Sequence, residues 1–148
     1  IHQAVDIAPE NSVLLVTNGG DNSTAIVGDI IIRNCIRRGF RGFVTDGSMR
    51  DLKDCRELGL PIFASGISIK GPTKTFTKGI LGESVKLGGI NISTGDYIVG
   101  DDDGLVCIKK NLVKKVLDKA LDKESLEEEI ISRINKGENT IDIFKIRN

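Results

Sequence analysis

Residues 42–64 read GFVTDGSMRDLKDCRELGLPIFA, and this stretch decides the fold. The apolar run Gly42–Asp46 is followed by a glycine, which predicts a buried strand that ends in a turn. Arg50–Leu58 has the length of a short helix and is also followed by a glycine, which favours a helix end. Pro61–Ala64 predicts a second strand. This order of elements predicts a βαβ unit with two parallel strands.

The same alternation extends toward the N-terminus. Ser12–Thr17 reads SVLLVT and is followed by Asn18-Gly19-Gly20, which predicts a further buried strand and a turn. A helix is predicted from about Gly28 to Arg38, because this segment ends in two arginines before a glycine. After the third strand, the polar segment 66–79 predicts a loop whose lysines, Lys70, Lys74 and Lys78, face solvent.

Downstream, the pattern changes to short apolar segments separated by glycine-rich turns. It predicts antiparallel hairpins, with strands over Ser84–Leu87, Ile90–Ile92, Tyr97–Val99 and Leu105–Ile108. A helical period returns over Asn111–Lys136. The predicted fold class is therefore mixed α/β, in which a parallel βαβ portion and a hairpin portion share one core that a long C-terminal helix closes.

The composition is that of an ordinary globular protein. With 148 residues, of which 39% are hydrophobic and 28% charged, the chain suits a single domain over residues 1–148. Lysine plus arginine and aspartate plus glutamate both number 21, and this balance argues against a general nucleic-acid binder. No apolar run approaches the roughly 18 residues of a membrane span and no signal-peptide pattern opens the chain, so we expect a cytoplasmic protein. Because the chain starts at Ile1 inside a helix-like stretch, we expect that it lacks its N-terminal portion.

The residue types restrict the chemistry. The only histidine is His2, which disfavours a Ser-His or Cys-His pair and a zinc site. Cys35, Cys55 and Cys107 are odd in number and widely spaced, which predicts reduced and mostly buried thiols. Carboxylates, arginine, lysine and backbone amides remain, and they favour an oxygen-ligated cation such as Mg²⁺ or Mn²⁺.

The first candidate site is Gly28-Asp29-Ile30-Ile31, at a predicted helix start. Amides in the first turn of a helix have no helical acceptor and attract anions such as carboxylates. Gly28 allows a ligand to approach the backbone closely. The alternative is that Asp29 only stabilises the helix dipole.

The second candidate site is the predicted strand-to-helix turn Asp46–Asp51. Ligands gather at the carboxyl ends of strands in α/β sheets. Arg50 could clamp a carboxylate with its planar guanidinium, and Asp51 could hold a divalent cation. The alternative is that Asp51 caps the helix and Arg50 forms a surface ion pair.

Two other segments favour structural interpretations. The acidic run Asp101-Asp102-Asp103-Gly104 lies between two predicted strands and is typical of a solvated hairpin turn. Gly71-Pro72-Thr73-Lys74 lacks the spacing of a phosphate-binding loop.

Asp29, twenty intervening residues and then Arg50-Asp51 resemble the D-x20-R-D signature of the 4-hydroxy-4-methyl-2-oxoglutarate / 4-carboxy-4-hydroxy-2-oxoadipate aldolases. These enzymes share a family with the RraA-type regulators of RNase E. The resemblance covers nearly the whole chain, in the order Gly19-Gly20-Asp21, Gly28-Asp29, GFVTDGSMRD, LGLPIFASG, GPTK, VKLGGINISTGDYIVGDDDGLVCI and the terminal helix.

The resemblance implies a swivelling β/β/α fold and a homotrimer or homohexamer with active sites between subunits. It implies that Gly28 to Ile31 bind the substrate carboxylate through backbone amides, that Asp29 places a water or a proton, and that Arg50 contacts substrate oxygens. Asp51 would be the one direct protein ligand of Mg²⁺ or Mn²⁺, supported by an acid of a neighbouring subunit for which Glu124 and Glu127 are the candidates.

The implied reaction is metal-dependent cleavage of a 4-hydroxy-2-oxo diacid to pyruvate and a second 2-oxo acid, with oxaloacetate decarboxylation as a side activity. The alternative from the same family is a non-catalytic regulator that binds RNase E. Such regulators lack the full Arg-Asp pair, so Arg50-Asp51 favours the enzyme.

Overall fold

The computed structural model describes residues 1–72 and 79–146. Its helices are α1 (His2–Ile7), α2 (Asp29–Arg37), α3 (Leu52–Leu58), α4 (Val113–Asn135) and α5 (Thr140–Ile143), and its strands are β1 (Val13–Val16), β2 (Ala25–Val27), β3 (Gly42–Met49), β4 (Ile62–Ile67), β5 (Val85–Leu87), β6 (Ile90–Ile92), β7 (Tyr97–Asp101) and β8 (Gly104–Ile108). The chain divides into two units, Ile1–Thr94 and Gly95–Asn148. The interpretation of residues 1–148 as one domain stays a prediction.

Strand β3 is the centre of a parallel sheet. Its first half pairs with β1, from Val13↔Gly42 to Val16↔Thr45, and its end pairs with β2 through Val27↔Met49. Strand β4 pairs along the other edge of β3. Strands β1 and β2 therefore occupy one edge of β3 in succession, and the predicted parallel βαβ arrangement is confirmed.

The buried cluster around Phe43 lies in the first unit. Ile32 and Cys35 of α2 are fully buried in one cluster with Phe43 of β3, because residues spaced three or four apart share one face of a helix. The buried members of this cluster run from Val5 to Cys55. The hairpin β5–β6 adds no buried residue to this cluster, and the predicted core shared by the sheet, both hairpins and the C-terminal helix stays a prediction. A two-stranded ribbon is too narrow to bury a whole face, and residues in β5 to β8 are at least partly exposed.

Two predicted strand ends are also wrong, and for the same reason. Strand β3 continues through Gly47 to Met49, and β4 continues through Gly66 to Ile67. Both glycines lie within strands where another side chain approaches the backbone. A Cβ at position 47 would lie 2.8 Å from Nδ2 of Asn18, and one at position 66 would lie 2.7 Å from Oγ of Ser48.

Strand β2 is absent from the sequence prediction. It has three residues and follows a polar segment, so no periodicity marks it. Its pairing with the end of β3 and the hydrogen bond from the Ala25 amide to the Lys70 carbonyl (2.7 Å) hold it in place. A tertiary contact, rather than a local pattern, therefore produces this strand.

The predicted hairpins are confirmed as β5–β6 and β7–β8. Asp101 ends β7 and Gly104 begins β8, and the Asp103 amide donates to Oδ1 of Asp101 (2.9 Å). The acidic run is therefore a hairpin turn, as predicted. The C-terminal helix α4 is confirmed over Val113–Asn135, and it begins after a short 3-10 turn.

All three cysteines are free, and Cys35 and Cys55 are buried as predicted, whereas Cys107 is half-buried. Among the described residues, no helix has both the length and the apolar character that a membrane crossing requires.

Candidate active site

The two predicted sites lie side by side at the carboxyl end of the sheet. Gly28 follows β2 directly and Arg50 follows β3 directly, and the last residues of these strands, Val27 and Met49, are paired. The Arg50 amide donates to the Val27 carbonyl (3.0 Å), which extends the pairing by one step. Parallel pairing therefore brings residues that are distant in sequence to one place.

The Asp51 carboxylate joins the two segments. Its Oδ2 accepts a hydrogen bond from the Asp29 amide at 3.4 Å and lies 3.4 Å from Nε of Arg50. The side chains of Arg50 and Asp51 are 45% and 36% exposed, so solvent reaches both. The backbone of Asp29 and the side chains of Arg50 and Asp51 thus meet at one solvent-accessible point.

Gly28 makes this close meeting possible. A Cβ at position 28 would overlap Oδ2 of Asp51 and would lie 3.1 Å from Cγ and 3.2 Å from Nε of Arg50. Gly28 has an extended backbone, with φ −150°, that any residue can adopt. The need for glycine is therefore steric and comes from the two neighbouring side chains.

Asp51 stands at the N-cap position of α3, but its side chain makes no capping hydrogen bond. Its carboxylate points toward Asp29 and Arg50 instead, while its backbone carbonyl accepts from the Cys55 amide (2.9 Å). Asp51 also has the left-handed conformation, with φ 58° and ψ 41°. Such strain in a residue other than glycine is concentrated at functional sites. The capping alternative therefore does not account for this carboxylate.

Helix α2 begins beside the Asp51 carboxylate. The amide of Ile31 is already used, because it donates to the Gly28 carbonyl at 3.1 Å, and its side chain is buried. The Asp29 amide faces Asp51, and the first-turn amide of Ile30 has no acceptor in the helix. The Asp29 carboxylate lies 3.1 Å from Nε of Arg33 one turn later, so it forms an ion pair within its own helix.

The predicted site residues outside this cluster have other positions. Glu124 and Glu127 lie on α4 in the second unit, where Glu127 pairs with Lys123 at 3.2 Å. The predictions for Thr73, Lys74 and Lys78 fall outside the described residues.

Sequence reasoning missed several neighbours of the cluster. Ser48 is fully buried and donates to Oδ1 of Asn22 (3.0 Å), and Ser65 donates to the same oxygen at 3.0 Å. Cys55 is the buried residue of α3. Burial raises the pKa of its thiol, and the negative charges of Asp51 and Asp29 raise it further. Small polar side chains within strands carry no sequence signal of this kind, because only tertiary pairing brings them together.

The donor set fits a hard divalent cation. Within residues 1–72 and 79–146, no group of three or more histidine, cysteine, aspartate or glutamate side chains could enclose a metal. Magnesium keeps several waters and binds proteins through one or two carboxylates. A single solvent-accessible carboxylate at Asp51, next to a glycine that leaves no room for a side chain, has this character.

Comparisons with known proteins agree on one family. The RraA-like family model, described as Aldolase/RraA, matches residues 1–107. A protein of Halalkalibacterium halodurans named "Putative 4-hydroxy-4-methyl-2-oxoglutarate aldolase" is 36% identical over 121 residues, which are 82% of this chain and 57% of that protein. The chain therefore spans little more than half of this relative's length.

Two solved structures share the fold. An uncharacterized protein from Pseudomonas syringae pv. tomato is 28% identical with a TM-score of 0.85, and Streptomyces coelicolor RraAS2, an unusual member of the RNase ES inhibitor RraA protein family, is 31% identical with a TM-score of 0.80. Each match covers 90% of this chain and 67% of the other. The predicted swivelling β/β/α, RraA-like fold class is confirmed, and this chain belongs to the RraA-like family.

Proposed function

We propose that this protein is a divalent-metal-dependent lyase that cleaves 4-hydroxy-2-oxo diacids, such as 4-hydroxy-4-methyl-2-oxoglutarate, to pyruvate and a second 2-oxo acid. One observation carries the proposal: Oδ2 of Asp51 lies 3.4 Å from both the Asp29 amide and Nε of Arg50, around a glycine that leaves no room for a Cβ. The name of the relative in Halalkalibacterium halodurans supports the same reaction class.

In this proposal, the charge of each group in the site determines its role. The amide of Ile30 in the first turn of α2 binds the substrate carboxylate, because it is positive and lacks a helical acceptor, while the Asp29 amide donates to Asp51. Asp51 holds Mg²⁺ or Mn²⁺, which when bound would supply Lewis-acid polarisation of the 2-oxo group. Arg50 directs its guanidinium at the substrate oxygens.

The reaction requires positive charge beside the substrate oxygens. Cleavage removes the proton of the 4-hydroxyl group, breaks the carbon–carbon bond and leaves its electron pair on the pyruvate part as an enolate, which then takes up a proton. Positive charge held near the developing oxyanion lowers the barrier. Arg50 supplies such charge from this chain, and Asp29 places the water that moves the proton. The same electron movement expels carbon dioxide from oxaloacetate, which we propose as a side activity.

Release of pyruvate tests the proposal directly. The purified protein is incubated with 4-hydroxy-4-methyl-2-oxoglutarate or oxaloacetate, and pyruvate is measured through lactate dehydrogenase and the loss of NADH absorbance. We expect turnover that EDTA abolishes and that added Mg²⁺ or Mn²⁺ restores. Absence of pyruvate with every such diacid, in the presence of metal, would rule out the lyase.

A second function has support from one comparison. Streptomyces coelicolor RraAS2 belongs to an RNase ES inhibitor family and is 31% identical to this chain. Inhibition of RNase E cleavage by the purified protein, without lyase activity, would favour a regulator of this type. The solvent-accessible cluster of Asp29, Arg50 and Asp51 favours the lyase, because a surface that only binds RNase E does not require an arginine and a carboxylate that converge on one point.

We also propose that the active form is a homotrimer or homohexamer. Helix α4 carries apolar side chains that are exposed within one chain, among them Leu117 (54%), Leu121 (53%) and Ile131 (56%). Contiguous exposed apolar surface is typical of a protein–protein interface. A neighbouring copy would cover this surface and could bring Glu124 or Glu127 to a site.

A further inference from the structure

We propose that Gly71 is a positioning residue for Arg50: because it has no side chain, the guanidinium can lie against the backbone of the loop after β4 and keeps one direction toward the substrate. The inference rests on the proposed function, since that function gives Arg50 its anionic partner. It concerns a residue outside the two segments of the sequence signature.

The position of Gly71 relative to Arg50 is the first observation. A Cβ at position 71 would lie 3.1 Å from Nη1 and 3.9 Å from Cζ of Arg50, and both are guanidinium atoms. Gly28 meets the same side chain nearer its base, at Cγ and Nε. The two glycines thus leave room for Arg50 at different places, Gly28 along the aliphatic stem and Gly71 at the guanidinium.

The backbone before Gly71 is fixed, so it can act as a rigid support. The Ser68 amide donates to the Met49 carbonyl (3.0 Å), and its hydroxyl donates to the Ser23 carbonyl (3.1 Å). The Lys70 carbonyl accepts from the Ala25 amide at 2.7 Å. These bonds hold the loop against the start of β2 and the end of β3, the two strands that lead into the site.

A side chain at position 71 would displace the guanidinium and leave the fold intact. The nearest atom is the far end of a flexible side chain, which can move at small cost. Gly71 has no left-handed backbone, and alanine before a proline adopts extended conformations readily. The expected damage therefore falls on the direction of Arg50 and not on folding.

Gly28 and Gly71 differ in what they touch, and this difference separates two effects. A Cβ at Gly28 would meet both Asp51 and Arg50, whereas a Cβ at Gly71 would meet, among the described residues, atoms of Arg50 alone. We expect Gly28→Ala to weaken metal binding and turnover together. We expect Gly71→Ala to weaken turnover alone.

The experiment compares Gly71→Ala with Gly79→Ala, where an added Cβ would meet no atom of the described residues within 4 Å. Three quantities are measured on the intact protein: kcat/KM for pyruvate release, Mn²⁺ affinity by electron paramagnetic resonance, and affinity for oxalate by calorimetry with Mn²⁺ present. For Gly71→Ala we expect a loss of about 10- to 100-fold in kcat/KM, the size that small misplacements of catalytic groups produce. We also expect weaker oxalate binding, with Mn²⁺ affinity within about twofold of wild type. Gly79→Ala should match wild type.

An Arg50→Ala background shows whether Gly71 acts through Arg50. If it does, adding Gly71→Ala to Arg50→Ala changes neither kcat/KM nor oxalate affinity further. The same loss in both backgrounds would overturn the inference, as would wild-type behaviour of Gly71→Ala or a wild-type protein that binds no oxalate. A wild-type protein that binds oxalate but releases no pyruvate would refute the proposed function alone, and the oxalate comparison would still decide the role of Gly71.

Discussion

At the scale of single residues, Asp51 has a backbone conformation and a side-chain direction that belong together. The left-handed backbone at the end of β3, with φ 58°, accompanies a carboxylate that faces Asp29 and Arg50 and does not cap α3. Aspartate tolerates this region better than most residues, but the conformation still has a cost in free energy. The backbone conformation that accompanies this carboxylate direction therefore lowers the stability of the fold.

Replacing the Asp51 carboxylate should remove metal-dependent activity. Asp51→Asn keeps the shape but removes the charge that holds the cation, so we expect kcat/KM to fall by at least about 100-fold, or roughly 2.7 kcal/mol in the barrier. The lactate dehydrogenase assay measures this loss across a Mg²⁺ titration. Asp54→Asn is the matched control, because Asp54 is an exposed acid on the first turn of the same helix. Wild-type activity in Asp51→Asn would contradict the metal assignment.

The left-handed backbone at Asp51 predicts that glycine at this position stabilises the fold more than alanine does. Glycine adopts positive φ without a Cβ penalty, whereas alanine does not. The free energy of unfolding of Asp51→Gly should therefore exceed that of Asp51→Ala by about 1 kcal/mol. Urea denaturation followed by circular dichroism measures the difference. Both variants should be inactive. Equal stabilities would mean that position 51 leaves the left-handed region when the carboxylate is removed.

At the scale of secondary-structure elements, the sequence predicted the order and type of the larger helices and strands but not the points where tertiary contacts decide. Gly47 was interpreted as the end of a strand, yet β3 passes through it to Met49, because Asn18 occupies the space of the missing side chain. The short strand β2 was missed, because only its pairing with β3 defines it.

The candidate site was predictable for a different reason. Arg50 and Asp51 follow β3, a strand that the sequence predicts, and ligands gather at the carboxyl ends of such strands. Asp29 follows β2, which has no sequence signal, so only the resemblance to the D-x20-R-D signature predicted its position beside them. Gly71 and Ser48 have no comparable sequence signal. Their proximity to the site depends on how the loop after β4 and the segment before β2 fold back onto β3.

Helix α2 carries a thiol that should make stability depend on pH in the alkaline range. Burial raises the pKa of the Cys35 thiol to about 11, from an ordinary value of 9.0. Between these values the unfolded chain has lost the proton and the folded chain keeps it, so the free energy of unfolding falls as pH rises, by up to about 1.4 kcal/mol per unit from this group.

Urea unfolding from pH 8 to 11 tests this dependence on Cys35. The decline should be shallower in Cys35→Ala, which lacks the thiol. Cys107→Ala is the control, because it keeps Cys35 and changes a half-buried cysteine of the hairpin β7–β8. A decline of the same steepness in Cys35→Ala and wild type would show that other groups cause it.

At the scale of the whole molecule, the exposed apolar side chains of α4 predict self-association. Light scattering coupled to gel filtration should give a mass of three or six chains. Leu121→Gln should lower that mass or weaken the assembly, because Leu121 is apolar and 53% exposed. Lys119→Gln is the control, since a residue two positions earlier on a helix faces nearly the opposite side. A stable and active monomer would contradict the proposed assembly.

The succession of β1 and β2 along one edge of β3 has a consequence for the order of events in folding. The pairing of β1, β3 and β4 needs no contribution from β2, so most of the sheet can form before this three-residue strand docks. Docking of β2 is the event that carries the Asp29 amide to Asp51. Strand β2 pairs with β3 at two positions, so it gains too little from pairing to dock before β3 is in place. The ability to bind a cation should therefore appear in one of the last steps of refolding. The rate at which refolding protein binds Mn²⁺ would then report when β2 pairs with β3.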